Sequence, residues 1–196
     1  MIGLEIVRSY IDTAATQETG TLSWKELPSF AGVQIERPDV TPAQSIWYIF
    51  LSVIVGTLLI LLIIHLKRAL LWKTWFFFAV ALCLQIAFAA FTPASIALVL
   101  GLICAYFKVF RPNVYVHNVT ELFVYGGLAV IFVPILSVTY AFVLLLGLSI
   151  YDMYAVWKSE HMITMAKFQT ESGIFAGLLL PYKRPPLLGN AKGKIE

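Results

Sequence analysis

The sequence predicts an all-α polytopic membrane protein with five transmembrane helices, and three observations carry that prediction. The 196 residues are 60% hydrophobic and only 13% charged, with a mean hydropathy of +0.84, well beyond the apolar content of a water-soluble domain. The apolar residues come in unbroken runs long enough to cross a bilayer. The basic residues gather in the segments that such crossings would leave on one side. A net charge of +3 spread in this way gives no support to nucleic-acid binding.

Residues 1–43 carry Glu5, Arg8, Asp12, Glu18, Lys25, Glu26, Glu36, Arg37 and Asp39 with no apolar core before them, so no signal peptide is expected. The first span follows at about 46–66, where Ser52, Thr57 and His65 are the only polar side chains. His65 stands beside Lys67 and Arg68 and reads as an interfacial residue at a helix end. The charge-free run from Thr74 to Phe107 is too long for one crossing and is interrupted at Thr92-Pro93. A proline there opens a new helix, giving spans at about 74–91 and 94–109. Leu122 to Trp157 contains a single charge, Asp152. As one helix it would reach about 54 Å, against a hydrocarbon thickness of about 30 Å. A break near Ser137-Val138-Thr139, just beyond Pro134, divides it into spans at about 121–137 and 139–157. Residues 44–157 thus form a five-helix membrane domain, and 158–196 an interfacial segment and tail. Within the latter, His161 to Leu180 is moderately apolar and is expected to rest at the interface as an amphipathic helix or strand, until "PYKRPP" breaks it.

Charge placement orients the spans. Strict alternation puts Lys67, Arg68, Lys73, Lys108, Arg111, Lys158, Lys167, Lys183, Arg184, Lys192 and Lys194 on one side, eleven of the 14 basic residues. The positive-inside rule makes that side cytoplasmic. The chain is then a multi-pass protein of the cell membrane with its N-terminal segment outside and its C-terminal tail in the cytoplasm. An external start with no signal implies a further helix upstream.

Several smaller features receive structural readings. Cys83 and Cys104 lie in apolar runs as small hydrophobes. Asn118-Val119-Thr120-Glu121 reads as a helix N-cap and capping box rather than a glycosylation site. Gly126-Gly127 and Gly147 are expected to allow close helix packing, and Gln85 to make an interhelical hydrogen bond. There is no phosphate-cradling glycine loop and no paired set of metal ligands, so no metal and no other cofactor is expected.

Asp152 is the residue that composition does not explain. In "SIYDMYAVWK" it lies about 7 to 8 Å inside the helix end, counted from Trp157. A carboxylate in a bilayer costs about 2.5 to 3.5 kcal/mol at a helix centre and less near the interface. Leu148, Ser149, Ala155 and Val156 occupy the adjacent turns, and none is a cation. A partner on another helix, Lys108 or Arg111, remains open. A carboxyl without a partner at this depth is suited to proton chemistry at neutral pH.

Tyr151-Asp152 followed by "MYAVWKSEHMITMAK" resembles the first catalytic motif of the presenilin and signal peptide peptidase family of intramembrane aspartyl proteases, in its archaeal branch. The opening "IGLEIVRSYI" resembles the segment just after the first membrane helix of archaeal members. The resemblance implies a nine-helix presenilin fold in which the five spans here are the second to sixth, with Tyr151-Asp152 on the last. It implies that Asp152 is one aspartate of a catalytic dyad and that Tyr151 positions it or touches substrate. It further implies that Ile174 to Leu180, with Ile174, Phe175, Leu178 and Leu179, borders substrate entry, where the stretch either helps hold an unwound transmembrane peptide from the lipid bilayer or is a linker resting on the membrane. The family's second aspartate, in a Gly-x-Gly-Asp motif, and its Pro-Ala-Leu motif do not occur in the sequence. Asp12 and Asp39 fall in the external segment. The chain therefore reads as a fragment lacking the C-terminal helices that carry the second aspartate, and inactive alone.

Two other classes stay open. Asp152 can carry protons or cations in a transporter or channel subunit, or serve assembly in a non-catalytic membrane scaffold. Against transport, the spans offer no second buried ionisable group and no broken-helix repeat.

Overall fold

A computed structural model describes residues 1–179 apart from Asp39, Lys67, Pro112, Ser159 and Phe175. In chain order the elements are α1 (Ile2–Ser9), β1 (Ile11–Asp12), α2 (Thr13–Thr19), β2 (Ser23–Trp24), α3 (Pro42–His65), α4 (Ala69–Ala89), α5 (Ala94–Phe110), α6 (Val114–Phe132), α7 (Val138–Trp157) and α8 (His161–Ser172). The two strands form a small antiparallel pair, with Ile11 opposite Trp24 and Asp12 opposite Ser23. Four helices, α3, α4, α6 and α7, are long and apolar enough to cross a membrane. The 17 residues of α5 are apolar but shorter, reaching about 25 Å. The protein is a polytopic all-α membrane protein.

Local chemistry sets the helix ends. Thr41 and Gln44 form a reciprocal capping box at the start of α3, with a proline in its first turn. Asn113 caps α6 by accepting from the Tyr115 amide at 2.9 Å. Asn118 and Glu121 therefore lie inside α6, and the capping box expected at these residues does not form. The physical reason is that helix propagation from Asn113 is continuous through Val114 to Glu121, whose backbone has no need of a second start. α6 consequently ends at Phe132, and the break before α7 spans 133–137, around Pro134.

The centre of the bundle is α4, packed against α5 and α6. Residues with little or no side chain let the backbones meet. A Cβ on Gly101 would lie 3.0 Å from the Gln85 nitrogen and 3.1 Å from the Ala81 carbonyl oxygen, and one on Gly127 would collide with the Cys83 carbonyl. Close approach through glycine is the usual solution where lipid removes the hydrophobic drive between helices. Gly147, by contrast, packs nothing closely: a Cβ there would meet nothing within 4 Å, although the residue is half-buried on the same stripe of α7 as Leu144 and Tyr151. Gln85 likewise departs from its expected interhelical bond. It donates to the Ser29 carbonyl at 2.8 Å, in the segment between β2 and α3, which crosses over α4 here.

α1 wedges into this bundle. Ile6 is fully buried, lies against Gly126 of α6, and belongs to a core cluster with Tyr10, Leu27, Ile86, Ala87 and Val130. The Tyr10 hydroxyl donates to the Ile86 carbonyl at 2.8 Å. Burial pushes that hydroxyl up to about 12, with the Arg37 charge pulling the other way. Arg37 itself reaches the carbonyl of Lys25 at 2.7 Å. α7 is attached differently: it packs on α3 and α8 rather than on the α4–α5–α6 core. A largely apolar cavity of about 430 Å³, lined in part by Tyr48, Ile49, Ile131 and Phe132, separates α3 from α6.

Candidate active site

Tyr151 and Asp152 sit in the last third of α7. Successive residues on a helix point about 100° apart, and the two side chains meet different surroundings. Tyr151 is half-buried and turned toward α3 and α8. Its ring stands edge-on to Phe50, with centroids 6.3 Å apart at 80°. Its hydroxyl lies 3.2 Å from Thr57 Oγ1 and 3.2 Å from His161 Nε2. The direction of this chain follows from its far end. Thr57 gives its only proton to the Val53 carbonyl at 2.9 Å, so it accepts from Tyr151. Tyr151 has then used its own proton and accepts from His161, which places a hydrogen on Nε2. Side chains of α3 and α8 thus fix the tyrosine ring beside the aspartate, with a hydrogen bond of this kind contributing about 0.5 to 1.5 kcal/mol.

Asp152 is exposed and, among the described residues, has no hydrogen bond or ion pair. Neither Lys108 nor Arg111 reaches it. Lys108 instead pairs with Glu121, the only ion pair among the described residues, and its ammonium is buried with the carboxylate. The spans therefore do contain further buried ionisable groups, contrary to expectation. Lys108, Glu121 and His117 are 4%, 2% and 5% exposed. No contact joins them to Asp152. The remaining aspartate that is described, Asp12, caps α2 by accepting from the amides of Ala14 and Ala15 at 3.1 and 3.2 Å. No second carboxylate adjoins Asp152 among the described residues.

The segment expected to hold substrate lies at the other end of α8. Ile174 is buried against Trp72 and Val109, so its side chain completes the bundle. Leu178 and Leu179 are exposed, and Phe175 lies outside the described residues. The backbone here is held by α6 side chains. His117 Nε2 lies 2.8 Å from the Gly177 carbonyl, and Glu121 Oε1 accepts from the Gly177 amide at 2.7 Å. Asn118 donates to the Leu179 carbonyl and accepts from its amide, both at 2.8 Å. Sequence reasoning missed Thr57, His117, Glu121 and His161 as parts of a site. Thr57 was visible as a lone hydroxyl in an apolar span, and His161 as the histidine nine residues after the aspartate.

The fold and the site define a class first: a polytopic α-helical membrane protein that carries, on a spanning helix beside a fixed tyrosine, a carboxyl with no partner among the described residues. A family model described as signal-peptide peptidase, presenilin aspartyl protease matches residues 28–185, and the chain belongs to that family. No curated protein and no solved structure matches the chain.

Proposed function

We propose that this chain supplies Asp152 as one carboxyl of a two-carboxyl centre that hydrolyses peptide bonds of transmembrane substrates within the bilayer. The observation that carries the reading is the contrast at residues 151 and 152: a tyrosine anchored by α3 and α8 next to an aspartate left open on the helix surface. Such a centre works as a pair sharing one proton. The ionised carboxyl takes a proton from water as the water oxygen bonds to the peptide carbonyl carbon. The protonated carboxyl donates to the carbonyl oxygen, and proton return to the nitrogen releases the amine as the C–N bond breaks. One carboxyl cannot be both acid and base in that step. The second comes from a membrane segment bearing Gly-x-Gly-Asp outside these 196 residues. Tyr151 is a positioning residue for Asp152, and Leu178 and Leu179, exposed in the segment that follows α8, together with Phe175, contact the unwound substrate.

The orientation proposed with it places the α3–α4 and α5–α6 turns and α8 in the cytoplasm, because Arg68, Arg111, Lys158 and Lys167 share that end. The test is reconstitution of the chain in lipid with a polypeptide carrying Gly-x-Gly-Asp, using a transmembrane peptide substrate. Cleavage is expected only with both polypeptides, and Asp152→Asn abolishes it. Cleavage by the 196-residue chain alone, lost on Asp152→Asn, refutes the need for an outside carboxyl. Cleavage that survives Asp152→Asn refutes the assignment itself.

A further inference from the structure

Three polar side chains of α6, His117, Asn118 and Glu121, converge on one short stretch of backbone, with Lys108 of α5 paired to Glu121 behind them, and none of the four bonds Asp152. We infer that Lys108, His117, Asn118 and Glu121 form a clamp on residues 177–179, and that through it α8 is a tether fixing α7 against the α4–α5–α6 core.

The bonds pair two backbone residues, although the chain bends at Gly177 and forms no strand there. Gly177 and Leu179 each present both groups to α6, and each group meets a side chain there. The helix thus supplies with His117, Asn118 and Glu121 the donors and acceptors that a neighbouring strand would bring. Lys108 holds the Glu121 carboxylate in place from α5. A buried pair of this kind is poor at adding stability over an apolar pair, and is strongly destabilising when broken. Its use here is directional: one carboxylate oxygen takes Lys108, which leaves the other aimed at the Gly177 amide. Gly177 has φ +143°, a conformation open to glycine and strained for other residues.

The clamp matters because of what lies upstream. α7 packs on α3 and α8, and α8 is bound at both ends. At its start His161 bonds Tyr151 of α7. At its end Phe168 lies 6.4 Å from the Trp72 ring of α4, Ile174 fills the space between Trp72 and Val109, and the clamp follows directly. The four residues are positioning residues, acting on Asp152 through the tether. The effect on cleavage rests on the function proposed above, whereas the tether itself is measurable without it.

The experiment uses the full chain in lipid nanodiscs. Spin labels on Tyr115→Cys and Trp157→Cys, two exposed positions at that end of α6 and α7, report the distance between the helices on a Cys83→Ala, Cys104→Ala background. Lys108→Met with Glu121→Gln removes both charges but keeps an acceptor for the Gly177 amide; Lys108→Met with Glu121→Leu removes the acceptor too. Asn118→Leu cuts both bonds to Leu179 and leaves the ion pair intact. The parent and the Met/Gln variant are expected to give one narrow distance. The Met/Leu and Asn118→Leu variants are expected to broaden it and to speed amide exchange at residues 177 and 179 about tenfold. A narrow distribution with unchanged exchange in Asn118→Leu overturns the inference, and that variant decides alone where the Met/Leu protein does not fold. In the two-polypeptide assay, Asn118→Leu should lower kcat, with KM rising as well because Leu179, a proposed substrate contact, is released with the clamp, and Asn118→Gln should restore part of both. Full kcat in a variant whose α7 has been freed overturns the positioning role. An intact tether in a system that never cleaves would instead count against the proposed function alone.

Discussion

Replacing Gly127 by alanine adds one carbon at the tightest of the glycine contacts among the described residues. The new Cβ would overlap the Cys83 carbonyl oxygen and stand 2.9 Å from its carbon and 3.1 Å from the Cys83 Cα. Carbon atoms rest about 3.5 to 4.0 Å apart, so α4 and α6 must part by about 1 Å at this level. The obstacle is helix backbone, which has no rotamer to turn aside. Overpacking of this kind costs about 1 to 3 kcal/mol, with the upper part of the range expected for backbone against backbone. Removing glycine from a helix interior returns about 0.5 to 1 kcal/mol. The net loss is about 2 kcal/mol, a factor of about 30 in the folded-to-unfolded ratio. Gly147→Ala is the matched control, since nothing lies within 4 Å of its Cβ and only the propensity gain remains. Equilibrium unfolding of both variants in mixed micelles, followed by helix content and by tryptophan fluorescence, measures the difference. Gly127→Ala unfolding at the same denaturant concentration as Gly147→Ala would refute the packing argument.

Tyr10 predicts a pH dependence. The folded state keeps the Tyr10 proton to about pH 12, whereas the unfolded chain loses it near pH 10. The stability it contributes is therefore complete well below pH 10 and is lost as pH rises through about 12, a total of about 2 to 3 kcal/mol; about half of that loss falls between pH 9 and 11, and melts of Tyr10→Phe compared at those two values should lack it. Ile174→Ala opens a cavity against Trp72 and Val109 and is expected to cost about 2 to 5 kcal/mol locally, seen as faster proteolysis after α8 with α4–α6 still protected. Glu160 enters α8 with φ +53°, so Glu160→Gly should stabilise the α7–α8 corner by about 1 kcal/mol in the same unfolding assay. Asp12→Ala removes the α2 cap and should cost about 1 kcal/mol, read as faster amide exchange at residues 14 and 15.

The membrane helices were legible because hydropathy acts on every residue of a span and needs no partner. Thr92-Pro93 and Pro134 marked breaks for the same local reason. The start of α6 was not read correctly, since Asn118 with Glu121 satisfies the capping pattern as well as Asn113 does. The choice between them is made by tertiary contacts that occupy Asn118 and Glu121 elsewhere. The Lys108–Glu121 pair escaped notice because each residue lies where a span meets its turn, and such charges ordinarily face water. The glycines show the same limit. Gly127 and Gly147 look alike in sequence, and only the neighbouring helix distinguishes them. Asp152 stood out because its oddity was local: one charge in an apolar helix with no cation within a turn.

The seat of α1 imposes an order on assembly. Its contacts come from Ile86 and Ala87 of α4 and from Gly126 and Val130 of α6, all translated long after Ile6 and Tyr10. The earliest of these helices to leave the ribosome thus has no binding surface until α6 has inserted beside α4. Until then its apolar face must wait on the membrane surface or on a chaperone, and mutations that delay α6 should appear first as a mislaid N-terminus.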